Sequence, residues 1–216
     1  MNRHAEDLQT QRIAYWGGAY LESTRESYRR AEEFFREGDA FTAYLNLFVA
    51  FNNLYCLIAR FDGHERAKIR AALKNVPAEE IDRFYTSEYV DLINSLNDGP
   101  TEQFVEGPDA GARIQGIVNM QTYFLGKRPS DCVAHIREVA PGWASSDDKR
   151  NTLQEVAASL LYTVRNNQFH AVKGPHRLAD QYTLESAYRL LLPLVGALLP
   201  MAERTVRSAV RSEVTQ

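Results

Sequence analysis

Twenty consecutive residues without a charge, Ala40 to Ala59, limit what this chain can fold into more than any other feature. As a helix the run is long enough to cross a bilayer. Asn46, Asn52 and Asn53 lie inside it, however, and an amide in hydrocarbon is costly unless a partner takes its hydrogen bonds. We find no second stretch of this kind and no Lys/Arg bias beside this one. The run is therefore expected to be the central core helix of a bundle, and the chain no membrane protein.

The flanking sequence is helical in pattern almost throughout. Residues 18–37 mix apolar and aromatic positions with Arg and Glu, and Gly38-Asp39 stops that run as a turn and N-cap. The core helix 40–60 ends at Asp62-Gly63. His64 to Val76 reads as a short basic amphipathic helix, with Ile69, Leu73 and Val76 on one face and Pro77 closing it. An acidic segment, 78–97, offers a further helical face that includes Tyr85 and Tyr89, here read as core. Residues 98–112 read as a loop, and 113–140 as one or two short helices. Ser145 or Ser146 is placed to cap a long helix whose stripe is Leu153, Val156, Leu160 and Val164. A last helix spans about Leu178 to Arg211, with Pro193 and Pro200 expected to bend or interrupt it. No segment alternates with period two for long enough to be a strand. The prediction is an all-α helical bundle, one domain over 1–216, with 78–140 as a helical or loop insertion.

Composition narrows the function classes. With 44% hydrophobic residues the 216-residue chain has ample material for a core, which excludes a disordered tail. Two cysteines, Cys56 and Cys132, make no disulfide scaffold and no metal motif. The first residues, MNRHAEDLQT, lack the apolar run of a signal peptide, so a reducing, cytoplasmic location is expected. The net charge of −3 is unevenly spread: residues 79–109 carry −8, residues 40–78 carry +3 and residues 110–216 carry +4. A nucleic-acid footprint on such a chain must be local, because a protein of this balance does not steer polyanions globally.

Enzyme signatures are mostly missing. There is no Gly-rich phosphate loop, no nucleophile elbow, no H-E-x-x-H and no His/Cys set at zinc spacing, so neither a metal nor a cofactor is expected. His4, His64, His135 and His176 stand on polar or terminal stretches and read as solvated. The fifth histidine is different. The stretch YTVRNNQFHAVKG, residues 162–174, puts Arg165 four residues before His170, with Asn166 directly after the arginine. The bare spacing carries little, since twenty Arg and five His in 216 positions predict roughly 0.5 such pairs by chance. Placement carries more. Four polar residues, Arg165 to Gln168, interrupt a helix whose earlier turns are built to be buried. Either the helix ends there in solvent or the segment lines a polar cleft. On an ideal helix Arg165 and His170 lie roughly 140° apart, so they converge only if the helix distorts or a partner chain completes the site.

At these residues the chain resembles the HEPN superfamily, helical nucleotide- and RNA-binding domains of prokaryotic toxins and defence systems. Arg165-Asn166 and His170 match the family motif of Arg, four to six residues, then His. Upstream, Phe48-Val49-Ala50-Phe51-Asn52-Asn53-Leu54-Tyr55 resembles the helix that precedes the motif helix in several branches. The likeness covers about 40–60 and 146–211, and segment 78–140 has no counterpart. Val172 stands where toxins with a nucleotidyltransferase antitoxin carry a modifiable tyrosine, so that mode of regulation is not implied.

The resemblance implies a metal-independent endoribonuclease that cuts single-stranded RNA through 2′-OH attack, in a toxin–antitoxin or antiviral defence setting. In that chemistry the His170 imidazole takes or gives the proton, a contribution of about 10²–10⁴ in rate. The Arg165 guanidinium holds the scissile phosphate. Asn166 orients His170 or a phosphate oxygen, while Lys173, Asn167 and Asn52 are the candidate substrate-binding residues. A homodimer with two motifs on one cleft is expected, with an antitoxin or defence protein as a further partner. Two other readings stay open: a non-catalytic HEPN module that binds nucleotide or RNA or pairs with a partner, and a helical scaffold without a ligand. At the level of single residues, Arg165 also suits pairing with an acid or a helix C-terminus, Asn52 and Asn53 suit buried backbone or each other, and Lys173 suits solvent.

Overall fold

A computed structural model describes residues 3–60, 63–84, 150, 154, 156–169 and 178–214. Of these residues 92% are helical and none is in a strand, so the all-α expectation holds. The charge-free run is α2 (Ala40–Ile58), entered by a tight turn from α1 (Arg3–Arg36). The Asp39 amide donates to the Phe34 carbonyl and the Gly38 amide to that of Phe35, which closes a Schellman motif. This turn needs a left-handed residue, and Gly38 provides it at φ 82°. Asp39 then caps α2, accepting from the Thr42 amide at 2.9 Å and from the Thr42 hydroxyl at 2.6 Å. The stop and the cap fall where the sequence puts them.

α2 packs against α1, against α6 (Leu178–Val214) and against α3 (Glu65–Lys74). That explains its apolar composition. Residues as far apart around the helix as Tyr44, Leu47, Phe51, Leu54 and Leu57 are all fully buried. α1 and α6 run antiparallel: Phe35 stacks on Tyr188 at 4.1 Å between centroids, Arg25 pairs with Glu203 at 2.6 Å, and Gly17 lies under Val206. α3 is the amphipathic helix expected, with Ile69, Ala72 and Leu73 buried and its basic residues outward or half-buried. Pro77 separates it from the short α4 (Ala78–Phe84), and Arg150 reaches back to the Val76 carbonyl at 3.2 Å.

Several expectations are corrected. α1 begins at Arg3 rather than near residue 18: the helix runs through Gly17-Gly18, where Gly17 is a packing site against Val206 and no break. α6 runs uninterrupted through Pro193 and Pro200. An interior proline costs about 3 kcal/mol, but Leu190, Leu191, Leu194, Val195 and Leu198 are all buried around them. Burying one such side chain contributes about 1.5–3 kcal/mol, so together the five outweigh the two prolines. α6 is also, from Asp180, a second helix long and apolar enough to cross a membrane, which a search for charge-free runs passes over. About half of each apolar stretch, 56% in α2 and 50% in α6, is buried within the protein. Finally, Val156–Leu161 is a π-helix, followed by α5 (Tyr162–Phe169). Among the described side chains of this stretch Ala157, Ala158, Leu161 and Val164 are buried; Val164 belongs to the expected stripe, while the side chains of Val156 and Leu160 lie outside the described residues. The expected elements between 85 and 149, including Ser145, Ser146 and most of the insertion, lie outside the described residues, as does Leu153.

The two glycines make a paired test. A Cβ at Gly17 would sit 2.6 Å from Val206 Cγ2, whereas nothing lies within 4 Å of one at Gly18. Gly18→Ala is expected to gain about 0.5–1 kcal/mol from helix propensity alone. At Gly17→Ala the same gain is offset by overpacking of about 1–3 kcal/mol against a stiff β-branched side chain. Urea unfolding should therefore move the two midpoints in opposite directions.

Candidate active site around Arg165

One face of α2 looks toward the motif. Tyr44, Phe48, Asn52 and Tyr55 recur at spacings of four, four and three, so they form a single stripe. Each member meets something that fixes Arg165 or the segment carrying it. The Tyr44 hydroxyl, fully buried, donates to the Leu161 carbonyl at 2.6 Å, tying α2 to the end of the π-helix. One residue later α5 begins, and Arg165 is on its second turn.

The Arg165 guanidinium lies 5.7 Å from the centre of the Phe48 ring and 5.9 Å from that of Tyr162, both within cation–π range. Its Nη1 donates to Asn166 Oδ1 at 2.8 Å, and its Nη2 is 4.0 Å from Glu65 Oε1. Both side chains of this ion pair keep about a third of their surface, 30% and 32%, open to solvent. A pair so exposed contributes at most about 1 kcal/mol to stability. Glu65, the first residue of α3, is held on both oxygens: Tyr55 donates to Oε1 and Tyr162 to Oε2, each at 2.9 Å. Asn52 Oδ1 also lies close to the Tyr55 hydroxyl. The single phenolic proton serves only one acceptor. With that proton on the carboxylate, and the Asn52 amide turned so that its NH₂ faces the phenol oxygen, all three groups are satisfied. On the outer side, Arg66 lies 5.0 Å from the centre of the Tyr162 ring, so two guanidinium groups flank one aromatic side chain.

Burial pushes the Tyr44 hydroxyl well above the ordinary tyrosine range. Tyr55 moves in the same direction, through burial first and then through its hydrogen bond to Glu65 and the charge of that carboxylate. Both therefore act as donors across the physiological range. Burial also pushes the Cys56 thiol up, which makes it a poor nucleophile.

The sequence-predicted residues divide accordingly. Arg165 and Asn166 are in direct contact, and Asn52 joins them through Tyr55 and Glu65. Asn166 accepts from the arginine, where it was expected to serve His170 or a phosphate. Asn53 donates to the Ser23 hydroxyl of α1 at 3.2 Å, where buried backbone or Asn52 was expected. Asn167 is on α5, while His170 and Lys173 lie outside the described residues. Sequence reasoning missed Glu65, Tyr162, Tyr44 and Arg66. For Tyr162 a signal existed, since it stands three residues before Arg165 on the same helix. Among the described residues no group of three or more His, Cys, Asp or Glu is placed to hold a metal ion.

The chain matches no family model, no curated protein and no solved structure.

The raised tyrosines give a pH dependence with a definite sign. A phenol whose folded pKa exceeds the unfolded value of about 10 stabilises the fold fully below that pH, and the contribution is lost as pH rises beyond it. Tyr44 and Tyr55 are therefore expected to stay un-ionised until alkaline unfolding. Replacing both with Phe should leave the native phenolate absorbance titration unchanged up to that transition. Loss of ionising phenols below it would contradict the assignment.

Proposed function

We propose that the chain is a metal-independent endoribonuclease of the HEPN kind, cutting single-stranded RNA. The setting of Arg165 carries the reading. Its guanidinium is oriented by two aromatic rings, an amide and a carboxylate, and it is still about a third exposed. A cation oriented before substrate arrives stabilises the charge gathering on a scissile phosphate without reorganising during the reaction. The sequence supplies an imidazole five residues later. In this mechanism His170 takes the 2′-OH proton or protonates the leaving 5′-oxygen, and the product is a 2′,3′-cyclic phosphate. Lys173 and Asn167 contact neighbouring phosphates. A cytoplasmic toxin–antitoxin or defence setting, with an antitoxin or other protein partner, belongs to the same proposal.

One observation favours a second reading, a HEPN module that binds RNA or nucleotide without cutting it. Glu65 beside Arg165 offsets part of the positive charge that a phosphate would meet. The two readings separate in one assay. With the enzyme, purified protein cleaves a single-stranded RNA in excess EDTA, and His170→Ala and Arg165→Ala each lower the rate by about two decades or more with little change in Tm. Binding without cleavage selects the second reading. A strict requirement for Mg²⁺ or Mn²⁺ would sink the mechanism, and equal loss of folding in both variants would leave Arg165 and His170 a structural role.

The proposal extends to assembly. One Arg and one His per chain supply a single acid–base group, whereas cyclising cleavage profits from a base, an acid and cationic stabilisation together. A closed two-fold dimer gathers two motifs on one groove, and such dimers are the commonest soluble homo-oligomers. Light scattering is expected to give a dimer at micromolar concentration. A monomer, or a dimer whose motifs open onto opposite surfaces, would defeat the composite site.

A further inference from the structure

We infer that Glu65 is a positioning residue for Arg165, an inference that rests on the ribonuclease reading above. Glu65 is the one acid in a segment that otherwise carries Arg66, Lys68, Arg70 and Lys74. A solvated carboxylate at the head of a helix would suit the helix dipole and need no further partner. Glu65 is instead two-thirds covered and takes one phenolic hydrogen bond on each oxygen, from Tyr55 on α2 and from Tyr162 on α5. Two bonds from two elements fix the plane of the carboxylate, so three helices meet on one charged group.

The fixed charge does what the neighbouring rings do not. Phe48 and Tyr162 attract the guanidinium toward their faces, but a ring face leaves its rotation free. Four side-chain torsions separate that group from the backbone. Glu65 Oε1, 4.0 Å from Nη2, draws one edge of the fork inward, and Asn166 Oδ1 holds Nη1 at 2.8 Å. Together they set the direction in which the guanidinium presents its donors. The same carboxylate repels an incoming phosphate, so its loss has an unusual signature: chemistry slows through misorientation while binding is unchanged or tighter.

The experiment compares wild type, Glu65→Gln, Arg165→Ala and the double variant as full chains on a fluorescent single-stranded oligoribonucleotide. Glu65→Gln is expected to lower kcat at least tenfold with KM unchanged or reduced, and with Tm within a few degrees of wild type. In the Arg165→Ala background the Glu65 substitution should add nothing further, because it acts through that arginine. A Glu65→Gln enzyme with wild-type kcat, a rise in KM alone, or a loss that multiplies with that of Arg165→Ala would overturn the inference. Should Glu65→Gln fail to fold, Tyr162→Phe removes one bond to the carboxylate and keeps the ring. It is then expected to lower kcat at constant KM, and wild-type behaviour would count against Glu65. Wild-type protein that cleaves no RNA refutes the ribonuclease reading, and this inference with it. Active wild type with an indifferent Glu65 refutes the inference alone.

Discussion

A helix packed against three others can keep a polar side chain only where a neighbour completes its hydrogen bonds, because an orphaned buried hydroxyl or amide costs about 1–3 kcal/mol. α2 keeps several: Asn46 bonds the Thr42 carbonyl of α2 itself, and three others find partners that are structural commitments elsewhere. Asn53 commits to Ser23 and so to α1. Tyr44 commits to the Leu161 carbonyl, which anchors the last residue of the π-helix. Tyr55 commits to Glu65 and so fixes where α3 begins. The site around Arg165 follows from these obligations: the polar residues of α2 locate the segments that bring the arginine, the carboxylate and the second tyrosine together.

The parts of this arrangement that leave a periodic or compositional mark are legible in the sequence. The charge-free run, the Gly38-Asp39 punctuation and the buried Ile69 and Leu73 of α3, with Val76 buried just past its end, all appear where their patterns put them. The stripe of Tyr44, Phe48, Asn52 and Tyr55 is not picked out by any pattern within the charge-free run, because its orientation toward Arg165 is a tertiary fact. Glu65 leaves no mark, because a single acid among bases looks like any solvated residue until Tyr55 and Tyr162 close on it from distant positions. Local propensity misleads at Gly17-Gly18 and at Pro193 and Pro200. At Gly17 close packing on Val206 of α6, and at the two prolines the burial of the apolar residues around them, outweigh what the residues prefer alone.

Charge is organised on a shorter scale than the net value of −3 suggests. The +3 segment 40–78 contributes no charge from α2 itself, so its cations are gathered on Arg60 and α3. Arg66 meets Tyr162 there, beside Arg165. Among the described residues the two guanidinium groups thus make a small cationic spot around one aromatic ring.

The π-helix ahead of α5 has a consequence for sequence change over evolutionary time. Such a turn holds one residue more than an α-helix covering the same path, and here its far end is pinned by Tyr44. Loss of one residue there would let a regular α-helix cover the same path, leaving Arg165 beside the Phe48 ring and the Glu65 carboxylate. A gained residue has no such slack: everything beyond it would rotate by about 100° and shift by about 1.5 Å, and Arg165 would leave both partners. A stretch as plain as VAASLL is therefore asymmetric toward changes in length, open to the loss of one residue and closed to a gain.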